Sequence, residues 1–265
     1  MNATRRLNAK VSGPTGARVM LFAHGFGCDQ NMWRLVAPAF EQDFRVVTFD
    51  LVGAGGSDLA SYDPEKYATL SGYAADVIDL IDELDQGPVI FVGHSVSSII
   101  GVLAAVERPE LFDRLVLVGP SARYIDDEGY VGGFSAADID DLLESLESNY
   151  LGWSHAITPV IMSNPERPGL TQELDESFCR TDPDIARRFA SVTFRSDNRD
   201  DLPKVITPTL VLQSREDAIA PQSAGEYVRD HVPDSTYVVL DSVGHCPHLS
   251  EPDQTIAAIA DFVRP

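Results

Sequence analysis

The run Val92-Gly93-His94-Ser95-Val96-Ser97 places a serine between small residues, at a spacing that could make its hydroxyl reactive. An apolar run, Val89 to Val92, leads into it, and a helix-like stretch, Val96 to Glu107, follows. At such a strand-to-helix junction the backbone turns tightly and pushes the hydroxyl out at the top of a sheet. Neighbours two residues away must be small, because larger side chains would collide. Ser97 stands where the strict pattern has a second glycine, so the match is to G-x-S-x-[small]. A hydroxyl is a weak nucleophile until an imidazole removes its proton, and the imidazole needs a carboxylate to fix its tautomer. Both partners lie downstream. Leu212-Gln213-Ser214-Arg215-Glu216-Asp217 ends an apolar run in an acid, and Asp241-Ser242-Val243-Gly244-His245 places a histidine just past the next one. Ser95, Asp217 and His245 are therefore the candidate nucleophile, orienting acid and general base, in the order serine, acid, histidine.

Each assignment has a competitor. Asp217 could simply cap the helix that Pro221 starts, and Glu216 is an adjacent acid. His94 and His248 compete with His245, although His94 precedes the nucleophile and should point away from it. His245, Cys246 and His248 could together suggest a metal, but no zinc-like set of four ligands accompanies them. Acyl transfer also requires N–H donors for the developing oxyanion. The backbone of Val96, after the nucleophile, should supply one. Phe26, in His24-Gly25-Phe26-Gly27, should supply the other, since flanking glycines let its N–H approach a ligand. The glycine-rich run Gly53 to Ser57 lacks the lysine of a phosphate loop and reads as a tight turn. No cofactor and no metal are expected.

Positioning these groups requires a particular scaffold. Val19 to Ala23, Val46 to Phe49, Val89 to Val92, Leu115 to Val118, Thr209 to Leu212 and Tyr237 to Leu240 read as strands. Asn31 to Phe40, Thr69 to Leu84, Val96 to Glu107 and Thr255 to Val263 read as helices between or after them. Such alternation implies an α/β fold with a mostly parallel sheet covered on both faces. Loops after parallel strands leave on one edge, where Ser95, Asp217 and His245 can converge. Between about Tyr124 and Lys204 the strand runs cease, and helices such as Ala136 to Tyr150 and Asp184 to Phe194 take over. About 80 residues are too many for a loop. Residues 124–204 are expected to form a helical cap inserted into a core of residues 1–123 and 205–265, excluding water and shaping the cavity.

The 265 residues are 44% hydrophobic, ample for a core. A formal charge of −21 and a pI near 4.4 argue against nucleic acid or an anionic membrane as partner. Cys28, Cys179 and Cys246 are widely spaced and read as reduced thiols. No apolar leader or membrane-length stretch is visible, so a cytoplasmic location is expected.

His24-Gly25-Phe26-Gly27-Cys28-Asp29-Gln30, Gly93-His94-Ser95-Val96-Ser97 and Gly244-His245-Cys246-Pro247-His248-Leu249-Ser250 resemble the RsbQ-type group of α/β-hydrolases. That group contains bacterial stress-response regulators and the plant strigolactone and karrikin receptors. The resemblance extends to Tyr150-Leu151-Gly152-Trp153 and Phe194-Arg195-Ser196-Asp197, and Ser97 is at home in the plant branch. It implies a sheet of about eight strands, a V-shaped four-helix cap and an apolar pocket over the triad. Mapped onto this chain, Phe26, Tyr124, Phe134, Trp153 and Phe194 would line that pocket. It also implies slow hydrolysis of a small apolar ester or lactone, either as an end in itself or in a ligand sensor with a protein partner. In the bacterial regulators that partner is a PAS-containing serine phosphatase. Cofactor-free haloperoxidases and carbon–carbon hydrolases share the triad.

Overall fold

The computed structural model describes residues 2–264. Among them, β1 (Lys10–Ser12), β2 (Val19–Ala23), β3 (Arg45–Phe49), β4 (Val89–His94), β5 (Phe112–Val118), β6 (Thr209–Glu216) and β7 (Ser235–Val243) form one sheet. Its order is β1-β3-β2-β4-β5-β6-β7, and only the β1–β3 pairing is antiparallel. The helices are α1 (Ala3–Arg6), α2 (Leu70–Leu84), α3 (Val96–Glu107), α4 (Ala136–Ser148), α5 (Tyr150–Met162), α6 (Pro168–Arg180), α7 (Pro183–Phe194), α8 (Gln222–His231), α9 (Pro247–Ser250) and α10 (Pro252–Val263). None is long and apolar enough to cross a membrane.

The central strands are apolar on both sides, and β2 and β4 are buried throughout. Alternate residues therefore feed two cores. Leu21, Val47, Phe91, Leu115 and Val211 pack with α2 and α3 on one face. Met20, Phe22, Ile90, Val116 and Leu212 pack on the other with Trp33 and, from α10, Ile259 and Val263. A third apolar cluster lies among α4 to α7 and the strand-end loops, with Phe178, Trp153 and Leu174 buried in it.

These four helices are bounded by strong local signals. Ser135 and Asp138 form a reciprocal capping box at the start of α4. The Asn149 side chain accepts from Gly152 N–H at 3.0 Å, opening α5 directly after α4 ends. Pro168 and Pro183 occupy the first positions of α6 and α7, where a missing N–H does no harm.

Three sequence expectations change. The helix over Asn31 to Phe40 is instead two short 3₁₀ turns, Gln30–Trp33 and Ala37–Phe40. Asp29 caps the first and Pro38 lies in the second, while Trp33, Val36 and Phe40 are buried against the sheet. Tertiary contact sets that conformation. Secondly, the sheet has seven strands among the described residues, not about eight. The third is an added element: β1 is three residues long and largely exposed, too short to announce itself by alternation.

Candidate active site

Strand order decides what can meet. The chain turns outward from β2 to β3 on one side and to β4 on the other, so the crevice at the carboxyl ends lies beside β2 and β4. The loop holding Phe26 leaves β2, Ser95 leaves β4, Asp217 follows β6 and His245 follows β7. All four strands are parallel, so their loops share one edge.

Ser95 has φ 57° and ψ −123°, a conformation costly for a residue with a side chain. Ser95 N–H donates to Val118 O at 2.8 Å, which ties the turn to β5. A Cβ on Gly93 would lie 2.5 Å from the Ser97 carbonyl oxygen, so glycine is required there. Ser97, the departure from the strict elbow, is fully buried and its hydroxyl donates to the His24 carbonyl. Helix α3 is thereby linked to the loop that carries Phe26.

Ser95 Oγ lies 2.8 Å from His245 Nε2, and His245 Nδ1 lies 2.7 Å from Asp217 Oδ2. The distances fit a tautomer in which Nδ1–H donates to the carboxylate and Nε2 accepts from the serine. His245 and Asp217 side chains are 5% and 1% exposed, so water hardly competes for the relay. Asp217 also performs the capping role. Its Oδ1 accepts from Ile219 and Ala220 N–H at 2.8 and 3.0 Å, leaving Oδ2 for His245. Glu216 is exposed, with its side chain near Arg215.

The backbone of His245 is held from both sides. Its N–H donates to Ile161 O in α5 at 2.8 Å, and its carbonyl accepts from His94 Nε2 at 2.8 Å. Burial, with His248 and His245 beside it, pushes the His94 imidazole well below its ordinary range, so it stays neutral. His94 thus supports His245 through its backbone carbonyl and ring, without hydrogen bonding to the relay nitrogens. His248, also buried, is pushed down to about 3 by that burial and packs at a tilt against Trp33 and His94 with centroids 4.6 and 4.4 Å apart.

Val96 is the first residue of α3, where an N–H has no partner four residues back. Phe26 sits in a turn closed by Cys28 N–H to Gly25 O at 3.3 Å. The Tyr124 hydroxyl stands 3.4 Å from Ser95 Oγ, and burial pushes its phenol up to about 12, so it remains a donor.

Above the relay lies a narrow cavity of about 30 Å³, room for about two waters. Phe26, Tyr124, Trp153 and Phe194 line it together with Leu142, Ile157, Leu174 and Phe178. Phe26 meets Trp153, Phe178 and Phe194 at centroid distances of 5.5 to 6.2 Å. Phe134 does not line the cavity. Its backbone pairs with the 124–126 segment through Phe134 N–H to Tyr124 O and Asp126 N–H to Phe134 O, and its ring packs at the edge of the cluster. Sequence reasoning had no means to see which side of that short ladder it would take. The aliphatic lining residues and Thr193 were missed because helical periodicity marks a buried face but not what it faces.

Among the described residues, two groups of side chains bring metal-type donors within 4.8 Å of one another: His94, Cys246 and His248 in the core, and His155, Asp175 and Cys179 near the surface. His245 is in neither, since both its nitrogens belong to the relay. In the core group, burial raises the Cys246 thiol well above its ordinary range, which disfavours the thiolate a metal needs.

The sequence model described as the alpha/beta hydrolase family matches residues 20–258. A probable esterase from Oryza sativa subsp. japonica is 40% identical over 258 residues, 97% of this chain and 95% of its own. A strigolactone esterase from Arabidopsis thaliana is 39% identical over 264 residues, 99% of this chain and 97% of its own. Among solved structures, a hydrolase from Oleispira antarctica superposes with a TM-score of 0.95 at 38% identity, covering 98% of this chain and 95% of that one.

Proposed function

The chain belongs to the α/β-hydrolase family, and on that premise we propose that it is a serine hydrolase of small apolar esters or lactones. The observation that carries the reading is the Asp217–His245–Ser95 relay, closed at 2.7 and 2.8 Å, under an apolar cavity. Ser95 Oγ attacks the carbonyl carbon as His245 Nε2 takes its proton. The carbonyl oxygen becomes an oxyanion facing the N–H groups of Phe26 and Val96. Collapse expels the alcohol, which takes the proton from His245 and leaves an acyl group on Ser95. Water, deprotonated by the same nitrogen, then releases the acid. Asp217 stabilises the imidazolium that forms twice in the cycle. Phe26, Tyr124, Trp153 and Phe194 bind the apolar part of the substrate. Residues 124–204 act as the cap over a core formed by residues 1–123 and 205–265.

A fluorophosphonate tests this directly. One adduct on Ser95 by mass spectrometry, with matching loss of p-nitrophenyl acetate hydrolysis, is the expected result. Labelling elsewhere, or hydrolysis that survives full labelling, would overturn it. A second reading is favoured by the likeness to a karrikin insensitive 2 receptor from Petunia hybrida, 39% identical over 253 residues: a ligand sensor with a protein partner and slow turnover. A kcat far below the roughly 1–10³ s⁻¹ of metabolic hydrolases would favour the sensor. The acidic charge disfavours nucleic acid and anionic membranes as partners.

A further inference from the structure

Thr193 lies in the last turn of α7, is 1% exposed and lines the cavity shared by Ser95 and His245. A helical threonine usually returns its hydroxyl to a carbonyl three or four residues back. Here Thr193 Oγ1 has no hydrogen-bond partner. Other polar side chains of the lining are committed: Ser95 and His245 to the relay, Tyr124 to the vicinity of Ser95, and His94 Nε2 to the His245 carbonyl. His94 Nδ1 also lacks a partner, but Gly25 packs over it: a Cβ added there would lie 2.7 Å away. Elsewhere the cavity wall is largely apolar, with Leu142, Trp153, Phe178 and Phe194 among its residues. Valine would fill the same space and leave nothing unsatisfied, whereas a buried hydroxyl without a partner opposes folding. A ligand that brings an acceptor relieves that penalty.

We propose that Thr193 is a specificity-determining residue whose hydroxyl donates to a second oxygen of the ligand, beyond the scissile carbonyl. The class selected is a small, otherwise apolar ester or lactone bearing an ether or further carbonyl oxygen. This rests on the cavity being the substrate site, as proposed above. A purely alkyl acyl group strands the hydroxyl, and a ligand oxygen in its place completes the bond. The effect belongs in the ratio between two such substrates.

The test compares p-nitrophenyl hexanoate with three analogues in which oxygen replaces C3, C4 or C5. Each is hydrolysed by wild type, Thr193→Val and Thr193→Ser. Intrinsic reactivity cancels because every ester is compared with itself across variants. Relative to hexanoate, kcat/KM for at least one oxygen-bearing ester should fall roughly three- to tenfold in Thr193→Val and be largely retained in Thr193→Ser. An equal factor for all four esters, or Thr193→Ser failing as Thr193→Val does, would overturn the proposal. A second arm does not need turnover. Matching methyl ketones, with a carbonyl but no leaving group, are titrated calorimetrically into Ser95→Ala with and without Thr193→Val. The same preference for an oxygen-bearing chain, lost with the hydroxyl, should appear in Kd. Absent hydrolysis with this preference intact would reject the esterase reading and keep the Thr193 subsite. Active hydrolysis without the preference would do the reverse.

Discussion

The loops at the strand ends and the helices above them bound one cavity, yet they are held by different forces. Below, Ser95, His245, Asp217, Ser97 and His94 each hydrogen-bond a particular partner, and Ser95 sits at a positive φ that its neighbours enforce. Above, α4 to α7 meet the cavity mainly through aromatic and aliphatic side chains, in edge and tilted contacts that specify volume more than atoms. Chemistry needs positions fixed to fractions of an ångström, which directional bonds provide. Selectivity needs a shape, which non-directional apolar packing can alter residue by residue. The two regions meet where His245 N–H donates to Ile161 O and Asn164 Nδ2 donates to Val243 O at 2.9 Å. The cavity they bound is small, about 30 Å³, against the roughly 300–1,000 Å³ of a typical ligand pocket.

The sharpest break in this contrast is Ser95→Ala. Removing one oxygen from the floor should lower kcat for p-nitrophenyl acetate by about 10⁶-fold while the melting temperature stays near wild type. Activity within tenfold of wild type would mean the relay is not the catalytic centre. Asp217→Asn comes next, at about 10⁴-fold, because the amide favours the wrong imidazole tautomer. Glu216→Gln, altering an exposed neighbour, should change kcat by no more than a few-fold. If the Glu216 variant proves the more damaging, the acid is misassigned.

Ser97→Ala probes how floor groups support one another. It removes the bond to the His24 carbonyl, about 1 kcal/mol, and should lower kcat for acetate by up to roughly tenfold with KM little changed. A loss confined to melting temperature would make Ser97 a packing residue alone. Trp153→Ala tests the roof. At roughly 25 cal/mol per Å² of lost apolar contact, kcat/KM should fall more for longer p-nitrophenyl esters than for acetate. A uniform loss that tracks the melting temperature would contradict the division of labour.

The smallest effect is expected at the junction where the chain leaves the sheet for the helices and returns. Arg123 pairs with Asp197 across a short antiparallel bridge, and Arg199 joins Asp197 and Asp127 at 2.7 and 2.8 Å. Hydrogen bonding from Arg199, then from Arg123, holds the Asp197 carboxyl down at about 2. Its folded pKa is below its unfolded one, so the stability it adds is present above about pH 4 and is lost as pH falls towards 2. Wild type should therefore melt slightly above Asp197→Asn at pH 6, with the gap closing as pH falls from about 4 to 2. A gap independent of pH would show that the charge contributes nothing.

Much of the floor was legible in the residues themselves. The strand–Gly93-His94-Ser95–helix junction, the acid at Asp217 and the glycine before His245 are local patterns, set by sterics within a few residues. Apolar runs of strand length likewise marked six of the seven strands, most clearly β2 and β4, which are buried on both faces. Two things needed the folded chain. Phe134 was excluded from the cavity by the register of its bridge with Ile125. The unpaired hydroxyl of Thr193 became visible only once α7 had been laid over the sheet edge. Local stereochemistry thus dictated most of the strands and the tight turn at Ser95, because it acts between neighbours along the chain. What faces the cavity is a matter of contacts between residues far apart in sequence, and only their packing could decide it.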